Sequence, residues 1–125
     1  MPDFPDFNEA TIAAIATPPG AGGIGIIRVS GPQSHAILQQ LFQPKNPPRN
    51  FISHRLYFGA IVHPKTRAVI DEVLAVYMRA PQTYTREDVV EIHGHGSYLL
   101  LQEILAQIVT FPDTRLAEPG EFTKR

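Results

Sequence analysis

The sequence contains no cysteine and no tryptophan. Without cysteine there is no disulfide scaffold, no thiol nucleophile and no cysteine-ligated zinc or iron–sulfur site, and the composition fits a reducing cytosol. No apolar run approaches the ~18 residues of a membrane span. No basic residue precedes Arg28, while Asp3, Asp6 and Glu9 make the start acidic, so the first residues do not read as a secretory signal. No Gly-Lys-Ser or Gly-Lys-Thr occurs, so the chain has no phosphate-binding P-loop. Net charge is only −1, which excludes both a highly basic nucleic-acid binder and an acidic disordered tail. What is present suits one ordinary domain: 125 residues, 43% of them hydrophobic, with 12 prolines. A domain of this size buries about 65% of the surface of its unfolded chain.

Charge is uneven along the chain. Residues 1–9 hold three acids and no base. Residues 10–70 hold Arg28, Lys45, Arg49, Arg55, Lys65 and Arg67 and no acid. Residues 71–125 are acidic on balance. The basic block could attract an anionic ligand or RNA, or its charges could disperse over a solvated surface in three dimensions.

Residues 1–10 read as a loose tail. Thr11 to Ala16 reads as a strand ended by Pro18-Pro19. The β-branched run from Ile24 to Ser30 reads as a mostly buried strand. Gly31-Pro32 suggests a helix start with proline at the first helical position, and Ile37/Leu41 and Leu38/Phe42 give that helix an apolar side. Pro44 to Asn50 reads as linker. Leu56 to Val62 and Val69 to Met78 read as strands joined by a turn at 64–67, the second apolar on both alternations and hence expected to be covered on both faces. Gln82 to Asp88 reads as a polar loop and Val89 to His93 as a strand. Ser97 is placed to cap a helix whose Leu101, Ile104, Leu105 and Ile108 share one face. Arg115 to Ala117 reads as a last short strand. The order ββαβββαβ predicts an α+β fold, a mixed β-sheet with helices packed on one side.

Gly20-Ala21-Gly22-Gly23-Ile24-Gly25 formally matches G-x-G-x-x-G. A dinucleotide site needs a helix after it and an acid about 20 residues on. Here a strand follows, and no acid occurs between Glu9 and Asp71. The glycines instead indicate a sharp connection needing positive φ, or bare backbone that a flat ligand or a second subunit approaches closely.

Glu91, His93 and His95 alternate, so along one strand all three face the same way. Two histidines and a carboxylate fall short of a metal ligand set, and His54 and His63 lie on other elements. Glu91, flanked by Val89, Val90 and Ile92, is expected to be partly buried and to need donors. Arg28, set among Ile26, Ile27 and Val29, is a candidate. Two readings follow: a buried ion pair, or two groups aimed into a ligand site. In the second, the carboxylate takes two N–H bonds from a planar amidine-like edge and the arginine holds a carbonyl or carboxylate. Ser34 and His35 are helix neighbours whose side chains diverge, so no Ser–His–Asp set is expected. Tyr57, Tyr77, Tyr84 and Tyr98 read as core or rim.

Longer motifs then carry a resemblance. Thr11-Ile12-Ala13-Ala14-Ile15-Ala16-Thr17-Pro18-Pro19-Gly20 and Gly22-Gly23-Ile24-Gly25-Ile26-Ile27-Arg28-Val29-Ser30-Gly31 resemble the opening of the bacterial tRNA-modification GTPases called MnmE or TrmE. So do Ile70-Asp71-Glu72-Val73-Leu74, Tyr84-Thr85, Glu87-Asp88-Val89-Val90-Glu91-Ile92-His93-Gly94-His95-Gly96 and Pro119-Gly120-Glu121-Phe122-Thr123-Lys124-Arg125. The resemblance covers nearly everything after residue 10. It implies that 11–125 is the family's folate-binding and homodimerisation domain, similar to the tetrahydrofolate-binding domain of the glycine-cleavage T-protein. The family's helical and GTPase domains, the latter binding GTP with magnesium and potassium, are absent from this chain. It implies a cytoplasmic protein, no membrane association, and no complete catalytic set in this chain. It implies a partner, MnmG, with which the family forms 5-carboxymethylaminomethyl- or aminomethyl-uridine at the tRNA wobble position. It places the folate contacts, for 5-formyl-tetrahydrofolate or another tetrahydrofolate derivative, on Arg28 and Glu91. Departures are Ala21 for the family's arginine, Arg86 for its glycine, and Ser97-Tyr98 for its Gly-Pro. The alternatives are a tRNA-contacting basic module involving Arg49 and Arg55, and a purely structural dimerisation domain in which Arg28 and Glu91 form an ion pair.

Overall fold

The computed structural model describes residues 10–17, 23–95 and 97–125. Along the chain come β1 (Thr11–Ile15), β2 (Ile24–Ser30), α1 (Ser34–Leu41), β3 (Phe42–Pro44) and β4 (Leu56–Val62). There follow β5 (Val69–Met78), β6 (Val89–His95), α2 (Tyr98–Ile108), β7 (Thr114–Leu116) and α3 (Glu121–Lys124). The strands form one sheet in the order β3-β4-β5-β6-β2-β1-β7. Every pairing is antiparallel except that of β1 with the edge strand β7. The sheet is therefore mixed, and the fold is α+β as the element order predicts. The tail at 1–9, Pro18-Pro19, the glycines at 20 and 22, Ala21 and Gly96 lie outside the described residues.

Register sorts the side chains onto two faces. Ile27 and Val29 of β2 stand opposite Ile92 and Val90 of β6, which stand opposite Ala75 and Tyr77 of β5. These residues form one core with Ile37, Leu38 and Leu41 of α1 and Leu101, Ile104, Leu105 and Ile108 of α2. Each large aliphatic side chain fully buried there contributes about 1.5–3 kcal/mol. Gly25 allows α2 its close seat on β2: a Cβ at that position would stand 2.5 Å from a Leu101 methyl carbon. Ser97 caps α2, its side chain accepting from the Leu100 N–H at 3.5 Å.

The opposite face carries the other alternation: Arg28, Glu91 and Val76 in one row, and Ile26, His93, Leu74 and Phe58 in the next. Neither α1 nor α2 covers it. Of the described helices, α3 reaches it, through Phe122 against Arg28.

Four local expectations change. β5 is covered on both faces only toward its end, where Val76 is buried; before it, Glu72 and Leu74 of the same face are exposed. Its double apolar alternation reflects a sheet face that is buried at Val76 and exposed at Leu74, and not a second layer of long helices. The first helix begins at Ser34 with Gln33 as N-cap, two residues after Pro32. No side chain caps it from Gln33, and the Thr11 hydroxyl accepts the Gln33 N–H at 2.8 Å. Phe42 is not helical: the chain turns at once into β3, whose Pro44 is tolerated on an edge strand where no ladder donor is needed. Finally, α3 forms where no helix is expected, on a Glu-Phe-Thr-Lys stretch too short to show a period.

Candidate ligand-binding site

Arg28 on β2 and Glu91 on β6 are direct cross-strand partners. Antiparallel register puts both side chains on the same sheet face, the one the long helices leave open. Arg28 Nε donates to Glu91 Oε2 at 2.8 Å, and His93 Nε2 lies 3.0 Å from Glu91 Oε1. The pair is neither core nor fully solvated, with side chains 29% and 17% exposed. Burial pushes the Glu91 carboxyl up, but hydrogen bonds and charges from His93 and Arg28 outweigh it, so Glu91 ionises below the ordinary glutamate value.

Arg28 also faces a cleft. Its guanidinium carbon lies 5.8 Å from the centre of the Phe122 ring. Its terminal nitrogens make no hydrogen bond to a described residue. Beside them opens a cavity of about 440 Å³ lined by Ala14, Ala16, Tyr84, Ala117 and Phe122 as well as Arg28. That volume falls within the ~300–1,000 Å³ of small-molecule sites. Glu91 borders Arg28 but does not line the cavity. A folate fits this donor set in part: the forked Arg28 cation faces the cavity, and the Glu91 carboxylate stands one strand away.

Ion pairs fix the far wall. Glu121 at the start of α3 receives Arg115 Nη1 and Nη2 at 2.8 and 2.6 Å. Hydrogen bonding from Arg115 and the Glu118 N–H, against the opposing effect of burial, holds its carboxyl down at about 2. Arg125 reaches from α3's end to Glu87 at 2.8 Å and to the Ala10 carbonyl at 2.8 Å. Glu87 in turn accepts from the Ser30 hydroxyl at 3.1 Å.

Other candidates from sequence do not converge. β6 does run to His95, but the His95 ring turns to Asp71, with Nδ1 2.8 Å from Oδ1. Asp71 is buried and also accepts the Glu72 and His95 N–H groups. His63 pairs with Glu103 and His54 with the Gln82 carbonyl. Among the described residues no three His, Asp or Glu side chains gather as a metal site. Gly23 has φ +99°, as a sharp connection before β2 requires, while Gly25 lies within the strand. Arg49 and Arg55 are exposed before β4, and Lys65 and Arg67 are exposed after it. About 20 Å of strand separates these two groups, and Lys45 lies between them against Phe58. Sequence reasoning missed Tyr84 and Phe122 as cleft residues. Their only signal was their place in the motifs Tyr84-Thr85 and Pro119-Gly120-Glu121-Phe122.

Comparison with known proteins gives the lineage. A family described as GTP-binding protein TrmE N-terminus matches residues 11–125. The chain belongs to this family. It is 56% identical over 118 residues to the tRNA modification GTPase MnmE of Desulfotalea psychrophila, covering 94% of this chain and 25% of that protein. It is 53% identical over 119 residues to the MnmE of Geobacter metallireducens, covering 95% of the chain and 26% of that protein. With the MnmE of Lactiplantibacillus plantarum identity is 53% over all 125 residues, 26% of that protein. The chain thus spans about a quarter of the length of these TrmE relatives. No helix among the described residues is long and apolar enough to cross a membrane.

Proposed function

We propose that this chain is the tetrahydrofolate-binding and homodimerising N-terminal module of a tRNA-modification GTPase. The observation that carries the reading is the Arg28–Glu91 pair on the sheet face that α1 and α2 leave open, with the outer end of Arg28 at a cleft. Glu91 accepts the 2-amino and N3 hydrogens of a pterin, and Arg28 holds a further polar group of the folate. When bound, the folate supplies a one-carbon unit for the modification. Arg28 and Glu91 bind and orient it and themselves transfer nothing. The uncovered face supports homodimerisation: Leu56, Phe58 and Leu74 are 52%, 46% and 38% exposed there, side by side across β4 and β5. The rest of the protein contributes the GTP-hydrolysing domain, with its magnesium and potassium. Together with MnmG it forms 5-carboxymethylaminomethyl- or aminomethyl-uridine at the tRNA wobble position in the cytoplasm.

Calorimetry with 5-formyl-tetrahydrofolate tests this. The unmodified chain binds it, and Glu91→Gln weakens binding by about 10- to 100-fold, the worth of a charge-assisted contact, without unfolding the domain. Unchanged affinity in Glu91→Gln refutes the carboxylate's role. No heat at millimolar ligand refutes folate binding and leaves a structural dimerisation domain with a surface ion pair.

A further inference from the structure

The β3 edge of the sheet is built from a stretch of chain without an acid. No Asp or Glu occurs between Glu9 and Asp71, and this stretch includes α1, β3, β4 and their connections. Its exposed cations Lys45, Arg49, Arg55, Lys65 and Arg67 surround that edge. None of the five pairs with an acid among the described residues. Two acids of other elements come near: Glu72 of β5 borders the same hollow as Lys45, and Glu103 of α2 is taken by His63. Beside Arg49 lies another cavity, of about 280 Å³, between α1 and the segment that follows β3. His35 and Gln39, one turn apart on α1, line one side, and Asn50 and the Phe51 ring line the other. The Phe51 ring is held by edge contacts, its centre 5.1 Å from that of Tyr57 and 6.5 Å from that of His35. Next to Gln39, the Gln40 carbonyl accepts from Arg67 Nη1 at 3.0 Å. The cavity therefore has Arg49 in its lining and Arg67 anchored beside it.

We propose that the β3 edge binds an unpaired stretch of RNA, with phosphates along Lys45, Arg49, Lys65 and Arg67 and one base in the cavity beside Phe51. The choice of RNA rests on the tRNA-modification reading; the surface itself is independent of folate. Exposed cations without acidic partners are what a polyanion needs, because each phosphate contact releases a counterion. The cavity falls just below the ~300–1,000 Å³ of whole small-molecule sites, which suits a single base. The Gln39 and Asn50 amides carry both donors and acceptors, as the edge of a base requires, and Phe51 offers a ring to pack against it. A paired RNA keeps its bases stacked inside the helix and cannot fill the cavity. An acidic protein segment would satisfy the cations but brings no flat, polar-edged ring.

Fluorescence anisotropy tests it with labelled oligo-A, oligo-C and oligo-U RNAs of about 12 nucleotides, beside a paired RNA of the same length. The unmodified chain is expected to bind the unpaired RNAs, to prefer one of the three bases, and to weaken with salt at a log–log slope of about −3, from four phosphate contacts at about −0.7 each. Arg49→Ala should lower affinity about fivefold at about 0.1 M salt and make the slope shallower by about 0.7. Asn50→Ala should flatten the base preference and leave the slope unchanged. Lys124→Ala, at an exposed cation on α3, is the control and should stay within twofold. All three side chains are exposed, and circular dichroism and the melting curve verify that the variants fold. Absence of binding, equal affinity for paired RNA, or an equal loss in Lys124→Ala overturns the proposal. A base preference that survives Asn50→Ala overturns the base site. Competition by poly-glutamate or by inorganic polyphosphate that matches RNA charge for charge assigns the edge to an acidic protein or to plain anion attraction, and overturns it likewise. The tRNA-modification reading is tested separately, by wobble-uridine analysis of tRNA from cells lacking the protein. Loss of the modification there, with no RNA binding at this edge, overturns the inference alone.

Discussion

Replacing Glu121 by glutamine should make the stability of the domain less sensitive to acid. Glu121 is 7% exposed at its side chain and takes two hydrogen bonds from Arg115 and one from the Glu118 N–H. These hold its carboxyl at about 2 in the folded chain, against 4.5 ordinarily. Because the folded value is the lower one, the stabilisation is present above pH 4.5 and is lost as pH falls toward 2. The full separation corresponds to about 3.4 kcal/mol. Arg115 is 28% exposed, and screening by solvent there reduces the expected contribution to about 1–2 kcal/mol. Urea unfolding of both proteins at pH 7 and pH 3 measures it. The unmodified chain should be more stable by about 1–2 kcal/mol at pH 7, with more than half of that gap gone at pH 3. Other carboxylates titrate in both proteins and cancel in the difference. A gap of equal size at the two pH values would refute the assignment of the low value to Glu121.

Other changes should move stability in predictable directions. Arg86 has φ +63°, a left-handed conformation costly for a side chain, so Arg86→Gly should stabilise the fold by about 0.5–1 kcal/mol after glycine's own entropy is subtracted, read as a higher urea midpoint. Gly25→Ala places a Cβ against Leu101 and should destabilise by about 1–2 kcal/mol, less if Leu101 changes rotamer; a wild-type melting temperature would refute the close seat of α2. Ser97→Ala removes a long capping bond and should cost about 0.5 kcal/mol, the low end for an N-cap, in the same assay.

The strands were legible because their side chains alternate against a core that the helices cover on one face. β2, β4 and β5 fall on the expected residues, and Ser97 with the Leu101–Ile108 spacing marked α2. The Arg28–Glu91 neighbourhood was legible for a similar reason: a charge set inside an apolar run must find a partner across the sheet. What failed was whatever depends on layers and edges. Val69 to Met78 is apolar on both sides, and composition cannot distinguish a second helical layer from a face left open. Phe42 fits a helical i,i+4 pair equally well as an edge strand. Tyr84 and Phe122 sit 38 positions apart, and nothing local to either predicts that α3 folds back onto Arg28.

That fold-back changes how the two readings of Arg28 and Glu91 relate. The ion pair and the ligand site need not compete. Glu91 holds Arg28 by Nε alone, which orients the guanidinium while leaving its outer nitrogens without a described hydrogen-bond partner. A core ion pair would bury both groups and satisfy every donor, because an unsatisfied buried charge costs several kcal/mol. Here solvent reaches both side chains, and the missing partners cost little until a ligand replaces the water. The short helix α3 that carries Phe122 is held by separate ion pairs, Arg115–Glu121 and Arg125–Glu87. Under the proposed folate reading, loss of Glu91 should weaken binding by misaligning Arg28, and loss of the Arg115–Glu121 or Arg125–Glu87 pair should weaken it by freeing α3.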